Sequence, residues 1–114
     1  MDQSAQNPVT TTALSGVRVV DLSNFNAGAL CAEFLAWFGA DVVKIESPAG
    51  ESGRIATTDK PGVDSYDFIV QNANKRSVAC DLQSQRGKDD FRKLIENADV
   101  LVAHLAPGAT GQSG

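Results

Sequence analysis

Cysteine, histidine and the ring-bearing polar residues are scarce: the 114-residue sequence holds two Cys, one His, one Trp and one Tyr. Cys31 and Cys80 have neither CxxC spacing nor a histidine cluster beside them. That pattern speaks against a disulfide scaffold or a zinc centre; a reducing, cytoplasmic setting and no metal are expected. Long apolar runs are also missing. The longest nearly apolar stretch, residues 27–40, is broken by Glu33 and is too short to span a bilayer. Residues 1–13 lack the basic start and apolar core of a secretory signal. Positive charge is in deficit, with a net charge of -4. Divided after Thr57, the first half carries six acids against three bases and the second eight against seven. Neither half offers the basic surface with which a nucleic-acid module neutralises phosphates. What remains is 42% apolar and 21% charged, the composition of one globular domain.

The polar residues 1–13, with Pro8 and three successive threonines, show no periodicity and read as a disordered tail. Order is expected from Leu14. The β-branched run 17–20 predicts a first strand and residues 41–46 a second. Between them, residues 28–38 place Leu30, Phe34, Trp37 and Phe38 at helical spacing, widened by Cys31, Ala32 and Leu35. This helix is apolar nearly all round and needs cover on more than one side; Trp37 is expected in the core. Gly39 supplies its stop. Residues 47–67 turn to Gly, Pro, Ser, Thr and Asp and read as a long loop, and Phe68-Ile69-Val70 is ambiguous. A third strand is expected over 77–82, an amphipathic helix over 86–98 with Ser84 as its N-cap, and a fourth strand over 99–105. The result is an α/β fold: a mainly parallel sheet of about four strands with flanking helices.

An open parallel sheet binds ligands beyond the carboxyl ends of its strands. Three loops fall there: residues 23–28, those from Ser47 onward, and those from Leu105 onward. The first carries Asn24, Asn26, Ala27 and Gly28 directly before a helix, where free amides favour an anion. It lacks G-x-G-x-x-G, so a nicotinamide-dinucleotide domain is poorly supported even with Glu46 at the end of the second strand. Gly28 serves equally well to bring the helix close to the sheet. Lys75 and Arg76 could meet phosphates or form a solvated surface. Asp21 could act as a base, but a carboxylate there more often caps a turn. Cys31 and Cys80 read as small core residues.

Read together, LSGVRVVDLSNFNAGALCAEFLAWFGADVVKIESPAG, then NKRSVACDL, then ADVLVAHLAPGA resemble the opening of the family III CoA-transferases. That family includes formyl-CoA transferases, carnitine CoA-transferases and α-methylacyl-CoA racemases. The likeness runs over residues 14–109, and DKPGVDSYDF lies nearest the formyl-CoA transferase branch. It implies a Rossmann-like, CoA-binding partial domain; residues 110–114, without an apolar anchor, read as an unanchored end. The implied whole proteins are several times longer and form interlocked homodimers. They move CoA from an acyl-CoA to a carboxylic acid through an aspartyl intermediate. The nucleophilic aspartate would lie beyond Gly114, so no catalytic residue is expected in this chain and the chain alone is expected to be inactive. Carried over position by position, the implied coenzyme A contacts are Asn26 and Ala27 near the thioester and Ser47 after the second strand. Cys80, Asp81, Leu82 and Gln83 would run along the nucleotide, and His104, Leu105 and Ala106 would follow the last strand.

The sequence departs from the family pattern where Ala29 replaces a usual Pro, His104-Leu105 an Asn-Phe type, Ser47 a frequent Arg, and Gln112 an Arg. Losing cations weakens phosphate binding, since each charge-assisted hydrogen bond is worth about 1.5–3 kcal/mol. Two other readings remain open at this point: a racemase-type fragment, and an α/β binding module that has lost its chemistry.

Overall fold

The structure, a computed structural model, describes residues 11–104. The chain runs β1 (Arg18–Leu22), α1 (Asn26–Trp37), β2 (Asp41–Glu46), α2 (Gly53–Ala56), α3 (Tyr66–Gln71), β3 (Arg76–Ala79), α4 (Gln85–Glu96) and β4 (Val100–Ala103). The four strands form one parallel sheet in the order β3-β2-β1-β4. The chain therefore builds outward from β1 through β2 to β3, then crosses to the other side of β1 for β4. That reversal between β1 and β4 is the switch point at which α/β sheets open a crevice.

Alternation along the strands divides the core between two faces. On one, Val19 and Val42 pack with Ala32, Ala36 and Ala40; on the other, Val20, Ile45 and Cys80 meet Phe91, Leu94, Ile95 and Ala98 of α4 and its exit. The α4 stripe is the one its spacing predicts. Ser84 caps that helix as expected, its hydroxyl accepting from Gly87 N at 3.0 Å.

Helix α1 turns the other way from the expectation. Its buried residues are Gly28, Ala29, Ala32, Glu33 and Ala36, whereas Trp37 is 59% exposed and Phe34 and Phe38 are at least half exposed. Two stripes share this helix, and the small one meets the sheet because alanines let the backbone approach closely. Cys31 is exposed as well; only Cys80 is a core cysteine. Gly39, at φ 103, ends the helix in the left-handed conformation that glycine adopts without strain.

The long loop expected over 47–67 holds the short α2, and Phe68-Ile69-Val70 is helical within α3. Ser65 ties the two together: its hydroxyl accepts from Phe68 N at 3.1 Å and donates to Gly53 O at 2.7 Å. Strand β3 ends at Ala79, earlier than the run of residues suggests, because the chain turns at Asp81. No helix among the described residues is long and apolar enough to cross a membrane. Residues 1–10 of the tail expected over 1–13, and the unanchored end expected at 110–114, lie outside the described residues.

Candidate functional site

Beneath the carboxyl end of the sheet, on its α1 face, lies a layer of buried charge. The period of two that puts Val19 and Val42 inward places Asp21 and Lys44 inward next, and these two are paired across β1 and β2. Asp21 Oδ1 accepts from Ser23 N at 2.9 Å and from the Ser23 hydroxyl, the turn-capping role that its position suggests. Its Oδ2 meets Lys75 Nζ at 2.8 Å, with Lys44 Nζ at 3.7 Å. Lys75 is thus neither a phosphate ligand nor a solvated surface residue. It is buried and also donates to Ala29 O and Asn72 Oδ1, each at 2.8 Å. Burial pushes its ammonium below the ordinary range, against the pull of Asp21. Arg76 is exposed and forks onto Asp41.

Lys44 continues the layer, donating to Ser23 O at 2.9 Å and lying 2.5 Å from Glu51 Oε2. Glu51 Oε1 accepts the Phe25 amide at 2.8 Å. Beside it, Glu46 accepts both arms of Arg54 at 2.7 and 2.8 Å, the Glu51 amide at 2.9 Å, and the Ser77 hydroxyl. The Arg54 guanidinium holds the Glu46 carboxyl at about 2, from an ordinary 4.5, against the opposing effect of burial. A carboxylate with every lone pair so engaged cannot serve as the ribose acceptor suggested by its place in sequence.

Above this layer a cleft of about 360 Å³ opens at the ends of β1, β2 and β3. It brings together Ser47, Cys80, Asp81, Leu82 and Gln83 from the expected set, with Asn24, Glu46 and Glu51 alongside. Leu22, Ile45 and Leu82 supply an apolar wall, and among the described residues no lysine or arginine lines it. Asp81 shapes the rim: its Oδ1 accepts from Gln83 N at 3.0 Å and its carbonyl from the Ser84 hydroxyl at 2.8 Å. A Cβ on Gly87 would stand 1.9 Å from that carbonyl, so glycine is required for α4 to start against the rim. The Cys80 thiol is buried, donates to Gly87 O at 3.1 Å, and is pushed up by burial, which disfavours a nucleophilic thiolate.

Asn26 lines a second cleft of about 230 Å³, walled by Phe25, Gly53, Ala56, Phe68 and Asn72, and Glu51 lines both. Ala27 is exposed on the first turn of α1 and lines neither cleft. His104 follows β4 and packs over that turn: a Cβ on Gly28 would come within 2.3 Å of Ser23 Cβ and 3.2 Å of His104 Cβ. Gly28 is therefore a close-approach glycine. Leu105, Ala106 and Gln112 lie outside the described residues. Sequence reasoning missed Glu51, Arg54 and Gly87. The first two sit in a segment without periodicity, and the signal available was a buried-type pairing partner for Lys44 and Glu46 inside strand β2.

The chain is 42% identical over 106 residues to a formyl-CoA:oxalate CoA-transferase of Streptomyces coelicolor, covering 93% of this chain and 26% of that protein. A formyl-CoA:oxalate CoA-transferase of Rhodopseudomonas palustris is 43% identical over 105 residues, covering 91% and 25%. Among solved structures, a CAIB/BAIF family protein from Brucella suis superposes with a TM-score of 0.84 at 31% identity, covering 91% of this chain and 29% of that one. A hypothetical protein from Mycobacterium tuberculosis gives 0.83 at 34%, covering 95% and 29%. The chain thus spans about a quarter of the length of the curated relatives it matches. The family profile described as CoA-transferase family III matches residues 14–114, and the chain belongs to that family.

Proposed function

We propose that this chain is the coenzyme A-binding, amino-terminal part of a transferase that moves CoA from an acyl-CoA to a carboxylic acid. The observation that carries the reading is the cleft at the carboxyl ends of β1, β2 and β3, where Ser47 and the run Cys80 to Gln83 converge. Its apolar wall suits an adenine ring, and Asp81 suits a ribose hydroxyl as acceptor. The relatives named formyl-CoA:oxalate CoA-transferase support formyl-CoA as donor and oxalate as acceptor.

In the proposed reaction an aspartate carboxylate attacks the thioester carbonyl and expels CoA thiolate, leaving an aspartyl–acyl mixed anhydride. The thiolate attacks the aspartyl carbonyl, releasing the donor acid and forming an aspartyl-CoA thioester. The acceptor carboxylate then repeats the exchange in reverse, leaving with CoA and restoring the aspartate. Splitting one acyl transfer into several easier steps is the gain from a covalent carboxylate. The proposal places that aspartate outside this chain. Asp21 is held by Lys75 and Ser23, and Glu46 by Arg54, so neither is available to attack. The whole enzyme is proposed to work in the cytoplasm as an interlocked homodimer, with no metal.

Calorimetric titration of the chain with CoA, and separately with NAD, tests the binding. Binding of CoA with a dissociation constant of about 1 mM or tighter is expected. Tighter binding of NAD would instead favour an oxidoreductase domain, and no binding of either a module that keeps only the fold. Incubating the chain with formyl-CoA and oxalate tests the placement of the nucleophile. No transfer above a buffer control is expected, and turnover would overturn it.

A further inference from the structure

Phe25, at φ 57 and ψ -150, holds a backbone conformation that glycine adopts readily and a phenylalanine does not. A conformation that costs energy persists only where neighbours impose it. Here the neighbours are visible on both sides of the strained residue. Lys44 Nζ fixes Ser23 O at 2.9 Å, and Glu51 Oε1 takes the Phe25 amide at 2.8 Å. Glu51 Oε2 lies 2.5 Å from the same Lys44, so one buried carboxylate closes the clamp between the two anchors. The clamped segment is also a wall of both clefts: Asn24 lines the first and Phe25 and Asn26 the second, and Glu51 itself lines both.

We propose that Glu51 is a positioning residue that holds Phe25 in its strained conformation and thereby sets the placement of Asn24 and Asn26 for the CoA thioester end. The chemistry requires a carboxylate. Glu51 Oε1 accepts the Phe25 amide and Oε2 faces the Lys44 ammonium as an ion pair, whereas a neutral glutamine has one acceptor oxygen and must turn its N–H donors toward either the Phe25 amide or Lys44. Room for this carboxylate comes from Gly53, where a Cβ would stand 2.8 Å from Glu51 Oε1. Gly53→Ala is therefore a second, independent way to displace the clamp.

The naming of CoA as the ligand rests on the proposed function; the clamp does not, and the experiment separates them. Amide hydrogen exchange and NMR shifts are followed in the chain, in Glu51→Gln and in Gly53→Ala, with CoA titrated into each. In both variants the Phe25 amide is expected to lose protection and the Asn24 and Asn26 resonances to move, while Val19 and Val42 in the sheet stay protected. CoA affinity is expected to fall about tenfold, the scale of one lost charge-assisted hydrogen bond. In a Phe25→Gly background the conformation costs little, so the Glu51→Gln loss is expected to shrink to about twofold or less. Unchanged Phe25 protection in both variants overturns the clamp. So does a Glu51→Gln loss of affinity that is undiminished by Phe25→Gly, since a purely structural carboxylate would behave that way. A wild-type chain that binds no CoA, with the exchange pattern still seen in the two variants, overturns only the identity of the ligand.

Discussion

At the scale of single residues, the charges under the clefts matter more through their pairing than through their exposure. Glu46 is the clearest case, because Arg54 lowers its folded pKa to about 2, below the ordinary 4.5. A carboxyl that binds its proton more weakly when folded adds stability that is complete above about pH 4.5 and disappears as the pH falls toward 2. The loss is expected to be on the order of 3 kcal/mol across that window. Urea unfolding along an acid series measures it, and Arg54→Met should flatten the profile between the same limits. A wild-type profile as flat as the variant's would show that the pair contributes nothing. Some of this charge layer was legible and some was not. Asp21 after a β-branched run could be read as a turn cap, and it is one. Lys75 beside Arg76 read as a basic pair, yet the sheet separates them: one is buried against Asp21, the other exposed on Asp41. Residue type gives charge, but only the fold gives the partner.

At the scale of elements, legibility followed how strongly a segment contrasts its two faces. Helix α4 alternates Phe91, Leu94 and Ile95 with Lys88, Arg92 and Lys93, and its buried side and its cap were both readable. Helix α1 carries almost no polar contrast, so spacing alone could not tell the alanine stripe from the aromatic one. Strand β3 is shorter than its residue pattern predicts because Cys80 and Leu82 are apolar enough to continue it. The backbone instead turns at Asp81 to deliver the Ser84 cap. That turn supplies the rim of the larger cleft, so the cap is coupled to the site. Ser84→Ala removes an acceptor for Gly87 N and a donor to Asp81 O. It is expected to cost about 1 kcal/mol of stability, measurable by chemical denaturation. Because Asp81 and Gln83 line the cleft, CoA titration should weaken in parallel; a stability loss with unchanged binding would uncouple the cap from the rim.

At the scale of the whole molecule, the parallel sheet and its flanking helices account for the family fold, but they leave apolar surface without a counterpart. The sequence foretold that α1 needs cover on more than one side, and the described residues supply the sheet and α3 but leave its aromatic side open. Phe34 and Trp37 stack edge to face with ring centroids 5.7 Å apart, and with Phe38 they lie at least half exposed. Ile69 and Val70 of α3 add to the exposed apolar residues, and Val100 and Leu101 of edge strand β4 do the same at the sheet margin. Monomeric proteins rarely leave contiguous apolar patches of this kind in water, because burying each large side chain is worth about 1.5–3 kcal/mol. The chain on its own is therefore expected to self-associate at micromolar concentration, with the α1 aromatics at the contact. Sedimentation velocity should show species above the monomer, and Trp37 fluorescence should shift to the blue as concentration rises. Replacing Trp37 and Phe38 with glutamate should return the chain to a monomer with its helix and sheet content intact, since neither ring packs into the core. A wild-type chain that sediments as a single monomeric species across that range would mean that the exposed rings are tolerated in solvent.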